Sequence, residues 1–140
     1  MFHTILVPVD LSERATRVLE FTRDLALRHQ SSLTLLHVIE AVDGVPFEEL
    51  ADFYGDLERR ALATLDRFSR PLRDAGLVVE GRVCYGKRAR EIIRYANENA
   101  FDLMVLGSHR LTPENFDSGF MTISHQVAIA ARIPVLVVKR

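Results

Sequence analysis

A chain of 140 residues, 48% hydrophobic and 26% charged, has the size of one globular domain built around a single core. Its 18 lysines and arginines against 19 aspartates and glutamates leave a net charge of -1, which provides no basic footprint for nucleic acid or for an anionic membrane surface. No apolar run approaches the roughly 20 residues of a membrane-spanning helix. The opening MFHTILVPVD lacks the basic start and small-residue cleavage site of a secretory signal, so a cytoplasmic protein is expected.

Short β-branched runs alternate with longer segments of helical period, the pattern of repeated βαβ units. The first strand is predicted from Thr4 to Val9. Ser12 stands where a helix cap belongs, and Ala15, Val18, Leu19, Thr22, Leu25 and Ala26 then recur at three and four residues to make one buried stripe. A second strand follows from Ser32 to Val38. The stretch from Glu40 to Phe47, EAVDGVPF, has the Gly and Pro of a loop, expected to be mobile and to lie above the strand ends.

The second helix carries Leu50, Tyr54, Leu57, Ala61, Leu65, Phe68 and Leu72 on its stripe; Pro71 should kink or end it, and Gly76 should close the turn into a third strand, Leu77 to Cys84. Ala89, Ile92, Ile93 and Ala96 mark a third helix, and Asp102 to Leu106 a fourth strand. Ile123, Val127 and Ala130 mark a fourth helix, and Val135 to Val138 the fifth strand. The runs ILVPV, LTLLHV, LMVL and VLVV are apolar at successive positions, as strands covered on both faces require. The expected architecture is α/β: an open, doubly wound, five-stranded parallel sheet with helices on both faces, in a single domain over residues 1–140.

Right-handed crossovers bring every strand-to-helix loop of such a sheet to one edge, where ligands bind at the point of reversed strand order. The loops at Asp10, Glu40, Gly86 and Gly107 should therefore meet around one cleft. Asp10, directly after the first strand, is placed to accept hydrogen bonds from a ligand, or to cap the following helix with Ser12 and answer its dipole. Gly107 lets the backbone approach a ligand or take a positive φ. Ser108, His109 and Arg110 follow. Ser108 and His109 are sequence neighbours and no GxSxG elbow is present, so a hydrolytic triad is disfavoured. His3, His29, His37, His109 and His125 lack the close pairing of metal ligands. The strings GxxxxGK and GxGxxG are both absent. Cys84 is the single cysteine and sits in an apolar stretch, which suggests a small core side chain.

PVDLSE after the first strand, LLHVIE at the second, the Gly86 turn before the third helix, and LGSH with PVLVVKR at the end together resemble the universal stress protein family over essentially the whole chain. The resemblance implies strand order 3-2-1-4-5 and a homodimer. It also implies a cleft in which the adenosine end of a nucleotide lies between Pro8, Asp10 and Val38, while phosphates lie on a loop of pattern G-x2-G-x9-G-[ST]. Gly107 matches the first glycine of that loop and Thr122 its terminal hydroxyl residue. Arg110 occupies the second glycine position, and the third falls at Phe120 or Met121. Arg88 stands where the family commonly has proline.

A glycine replaced by Arg, Phe or Met loses positive-φ freedom and room for a phosphate against the backbone, and Glu114 and Asp117 add opposing charge. The expected function is a small homodimeric regulator of stress response with weak or no ATP binding, not an enzyme beyond slow ATP hydrolysis at most. The alternative is an ATP-dependent switch in which Arg110 helps an altered loop to hold phosphate, while His109, also a candidate nucleotide-binding residue, is expected to close the strand-end loop by a hydrogen bond. No cofactor is demanded by the residues themselves; ATP or another adenine nucleotide is the ligand the resemblance implies. The dimer edge is expected at Val135, Leu136, Val137 and Val138, with Lys139 and Arg140 limiting further strand addition. Protein partners beyond the second copy are not identified by the sequence.

Overall fold

Successive apolar residues along a strand feed two cores at once. In β1 (Thr4–Pro8), Ile5 and Val7 enter one core and Leu6, between them, enters the other; all three are fully buried. A computed structural model of the chain describes residues 1–108 and 122–139. Within them, β2 (Ser32–Ile39), β3 (Val78–Tyr85), β4 (Leu103–Gly107) and β5 (Val135–Val138) complete a five-stranded sheet in the order β3-β2-β1-β4-β5, with every pairing parallel. Strand order and direction are those expected from the sequence, and several strand ends move by one residue.

Helices α1 (Ala15–His29) and α2 (Ala51–Asp74) cover one face. They place Val18, Leu19, Ala26, Leu65, Phe68 and Leu72 against Ile5, Val7, Leu33, Leu35 and Val105. On the other face, α3 (Arg88–Glu98) and α4 (Ile123–Ala130) bring Ile92, Ala96 and Val127 onto Leu6, Leu36, Val38, Met104 and Leu106. Burying a side chain of this kind contributes about 1.5–3 kcal/mol. Buried hydroxyls inside the helices are satisfied locally: Thr22 donates to the Val18 carbonyl and Ser69 to the Leu65 carbonyl, each at 2.7 Å.

Several local expectations are corrected. The α2 helix is not ended by Pro71 but runs three residues past it to Asp74, because the bond and the contact that a proline disturbs lie on its N-terminal side and the residues after it keep their own donors. Its carbonyl still accepts from Ala75 N–H at 3.2 Å, and Gly76, at φ +99°, makes the turn out. Ala130 is exposed, and Ser124 takes the buried place in α4. Cys84, on the edge strand β3, is only partly buried and packs against the margin of the second core. Burial, reinforced by the Glu91 carboxylate, pushes its thiol pKa up, which disfavours the reactive thiolate. The loop after β2 is exposed over residues 40–46, but Val42 N–H donates to the Tyr54 hydroxyl at 2.6 Å, which pins its middle to α2.

Gly86 is needed for two reasons at the entry to α3. Its φ is +143°, and a Cβ there would lie 2.6 Å from Cγ of the buried Glu91.

Candidate functional site

Strands β1 and β4 pair only through Ile5 with Leu103 and Leu6 with Met104. Beyond that point β1 stays with β2, through Pro8 opposite Leu36, and β4 stays with β5, through Gly107 opposite Val138. The central ladder stops because the chain winds outward in opposite directions from these two strands, and Pro8 has no N–H to extend it. A cleft opens between the two carboxyl ends.

Pro8, Asp10, Val38 and Gly107, the residues singled out from the sequence, all line this cleft. Arg88 and Ser124 join them, together with apolar side chains from both cores such as Val18, Ile92 and Val127. Among the described residues the cleft holds ≈ 70 Å³, below the roughly 300–1,000 Å³ of a typical ligand pocket. Glu40 and Gly86 are not among the lining residues.

Asp10 lines the cleft and also holds the turn before α1. Its Oδ1 accepts from Ser12 N–H at 2.9 Å and from the Ser12 hydroxyl at 2.5 Å, while its side chain faces the cleft. Ser12 Oγ in turn accepts from Arg14 N–H at 3.3 Å, and the Ser12 carbonyl accepts from Ala15 N–H at 3.1 Å. The pair therefore shapes the turn that leads into α1; the N-cap position falls on Arg14 and has no side-chain cap, so the cap expected of Ser12 and Asp10 is not formed. Gly107 sits in the strand ladder opposite Val138, and its carbonyl accepts from the Ser124 hydroxyl at 2.7 Å. That bond ties the end of β4 to the start of α4. Thr122 caps α4 by accepting from His125 N–H at 3.2 Å, and it lines a neighbouring depression with Ser108, Ser124 and His125 instead of the cleft. His109, Arg110, Glu114, Asp117, Phe120 and Met121 lie outside the described residues.

A family model described as the universal stress protein family matches residues 1–139. The chain belongs to the universal stress protein family. It is 25% identical over 149 residues to universal stress protein YxiE of Bacillus subtilis, covering 99% of this chain and 100% of that one. It is 26% identical over 159 residues to universal stress protein MJ0577 of Methanocaldococcus jannaschii, covering 100% of this chain and 96% of that one. The solved structure of MJ0577 superposes with a TM-score of 0.81 over 100% of this chain and 97% of that one, at 26% identity. Two further solved structures share the fold. The universal stress protein from Archaeoglobus fulgidus in complex with dAMP has a TM-score of 0.67 at 22% identity, covering 97% of each chain. A universal stress protein family protein from Arabidopsis thaliana with AMP bound has a TM-score of 0.72 at 23% identity, covering 99% of this chain and 92% of that one.

Sequence reasoning missed two polar lining groups of this universal stress protein. Arg88 was visible only as a departure from proline, and Ser124 only as the residue two beyond Thr122. It also passed over His37, whose Nδ1 lies 3.0 Å from the Val9 carbonyl beside the cleft. Burial holds the His37 pKa below its usual value; the Val9 carbonyl opposes this, the Arg88 guanidinium adds to it, and the Asp10 carboxylate opposes it. The imidazole is thus neutral in the fold near pH 7. A depressed folded-state pKa means the unfolded chain binds the proton more tightly. The stability is therefore fully present above pH 6.5 and is lost as pH falls from there through the folded value. Replacing His37 with Gln should make the denaturation midpoint less sensitive to acidification from pH 7 to pH 5 than in the native chain. Parallel pH profiles for the two proteins would assign the acid sensitivity elsewhere.

Proposed function

We propose that this protein is a non-enzymatic regulator of stress response, active as a homodimer, whose cleft accepts the adenosine part of a nucleotide but holds ATP weakly or not at all. One observation carries the reading: Pro8, Asp10, Val38 and Gly107 gather in one cleft at the strand-order reversal. The dAMP and AMP named with two family members support an adenine nucleotide as the ligand class. Against a firmly held triphosphate stand Arg110 and the Phe120-Met121 step at glycine positions, with Glu114 and Asp117 nearby in sequence. One guanidinium does not replace several backbone N–H groups aimed in advance at phosphate.

An ATP-dependent switch is the second reading, favoured by the complete adenosine-facing set and by Arg110 as a phosphate donor. Calorimetric titration with ATP and magnesium separates the two. The first reading expects no measurable heat or binding weaker than micromolar. A micromolar or tighter dissociation constant, lost in Asp10→Ala, would establish the switch instead.

The homodimer reading rests on the contrast between the two sheet edges. β3 is protected by charge, with Glu80 and Arg82 exposed and 3.3 Å apart. β5 is VLVV, with Val135, Leu136 and Val137 only partly buried. Met104 N–H donates to the Pro134 carbonyl and Ser108 N–H to the Val138 carbonyl. The alternation of a parallel ladder therefore turns the Val137 N–H away from β4 and toward the open edge. A twofold-related copy satisfies that edge with antiparallel bonds. Val137→Pro should weaken the dimer in sedimentation while leaving the circular dichroism spectrum intact. A wild-type chain that sediments as a monomer at micromolar concentration would defeat the proposal.

A further inference from the structure

From Glu40 to Glu58 the sequence EAVDGVPFEELADFYGDLE contains seven carboxylates and no lysine or arginine, in a chain that is otherwise rich in arginine. Asp56 is paired with Arg59, and Glu58 hydrogen-bonds to Tyr85. Among the described residues, none forms an ion pair with Glu40, Asp43, Glu48, Glu49 or Asp52.

The same segment holds an apolar cluster built on one buried ring. Tyr54 is 1% exposed; Phe47 stacks on it at 5.0 Å with an interplanar angle of 4°, and Phe53 leans on it at 5.6 Å. Tyr85, from the end of β3, closes the cluster edge-on, 5.7 Å from Phe47 and 5.9 Å from Tyr54. Only the inner faces of these side chains are covered. Val42 is 46% exposed, Val45 36%, Phe47 51% and Phe53 50%. Single exposed apolar residues are ordinary, but four within one short segment, three of them held to Tyr54 and all interspersed with carboxylates, have the composition of an interface.

The face is also set in shape before any partner arrives. The Val42 bond to Tyr54, the positive φ of Gly44 at +80° and the fixed φ of Pro46 at -58° hold the loop against α2. A surface ordered in advance loses less conformational freedom on binding.

We propose that this face docks a cationic, amphipathic segment of a partner protein. Its lysines or arginines answer the five carboxylates that no described residue pairs, and its apolar side chains cover Phe47, Phe53 and Val42. A second copy of this chain fits poorly, because a twofold axis through the face would set carboxylates against carboxylates. An anionic membrane is repelled for the same reason.

The test uses the full chain and a short fluorescent peptide of lysine and leucine in amphipathic helical period. Two comparison peptides accompany it: an oligolysine of equal charge, and a glutamine and leucine peptide of the same pattern. The lysine and leucine peptide should bind at micromolar concentration, weaken with salt, and lose about tenfold or more in affinity with Phe53→Ser and with Glu48→Lys combined with Glu49→Lys. Phe53 is half-exposed, so its variant should keep the native thermal midpoint. Amide shifts on titration of the wild type should cluster between Val42 and Phe53, a readout that does not depend on any variant folding. Equal binding of oligolysine or of the neutral peptide, unchanged affinity in both variants, or amide shifts centred elsewhere would overturn the proposal. So would wild-type self-association abolished by Phe53→Ser, which would assign the face to a second copy, or binding to phosphatidylcholine vesicles, which would assign it to a lipid surface.

Discussion

The backbone ladder between β1 and β4 ends at Leu6 and Met104, and the cleft exists because it does. Hydrogen bonds hold each of these strands to its other neighbour for two or three residues more, so the sheet is continuous below and split above. The split follows from winding direction: β1 leads through α1 toward β2, and β4 leads through α4 toward β5. Any ligand that enters meets backbone ends and helix starts from both halves.

The groups at the split are held by short local bonds. Asp10 is fixed by Ser12 in the turn before α1, and Gly107 is fixed to Ser124 in the first turn of α4, so each wall of the cleft is anchored near the start of the helix that follows it. His37 adds a neutral, half-buried imidazole bonded to Val9 behind the Asp10 wall. The result is a narrow slot with a carboxylate, a hydroxyl and a guanidinium at its polar positions and aliphatic side chains elsewhere. Among the described residues no helix is long and apolar enough to cross a membrane, and no three His, Cys, Asp or Glu side chains gather to hold a metal ion.

The strands were legible in the sequence because a strand buried on both faces has to be apolar at consecutive positions, and few other elements of that length do. Their order came from the family resemblance, and the gathering of Pro8, Asp10, Val38 and Gly107 followed from it. What stayed illegible depends on contacts between segments far apart in the chain. Phe47 reads as a loop residue and Tyr85 as a strand residue, and nothing in either position announces that both pack on Tyr54. The lining role of Arg88 depends on how α3 sits over β2, and the burial of Ser124 on its bond to Gly107, so neither is a matter of local pattern. Pro71 misled because a proline disturbs the turn before it and leaves the residues after it free to stay helical, as far as Asp74 here.

The proposed ligand site is the split between β1 and β4. Its most direct test is a titration of the isotopically labelled chain with AMP, followed through backbone amide shifts. Perturbations should concentrate at Val9, Asp10, Val38, Gly107 and Ser124, on both walls of the split, and stay small at the far faces of α1 and α2. Saturable AMP binding whose shifts centre away from those residues would contradict it.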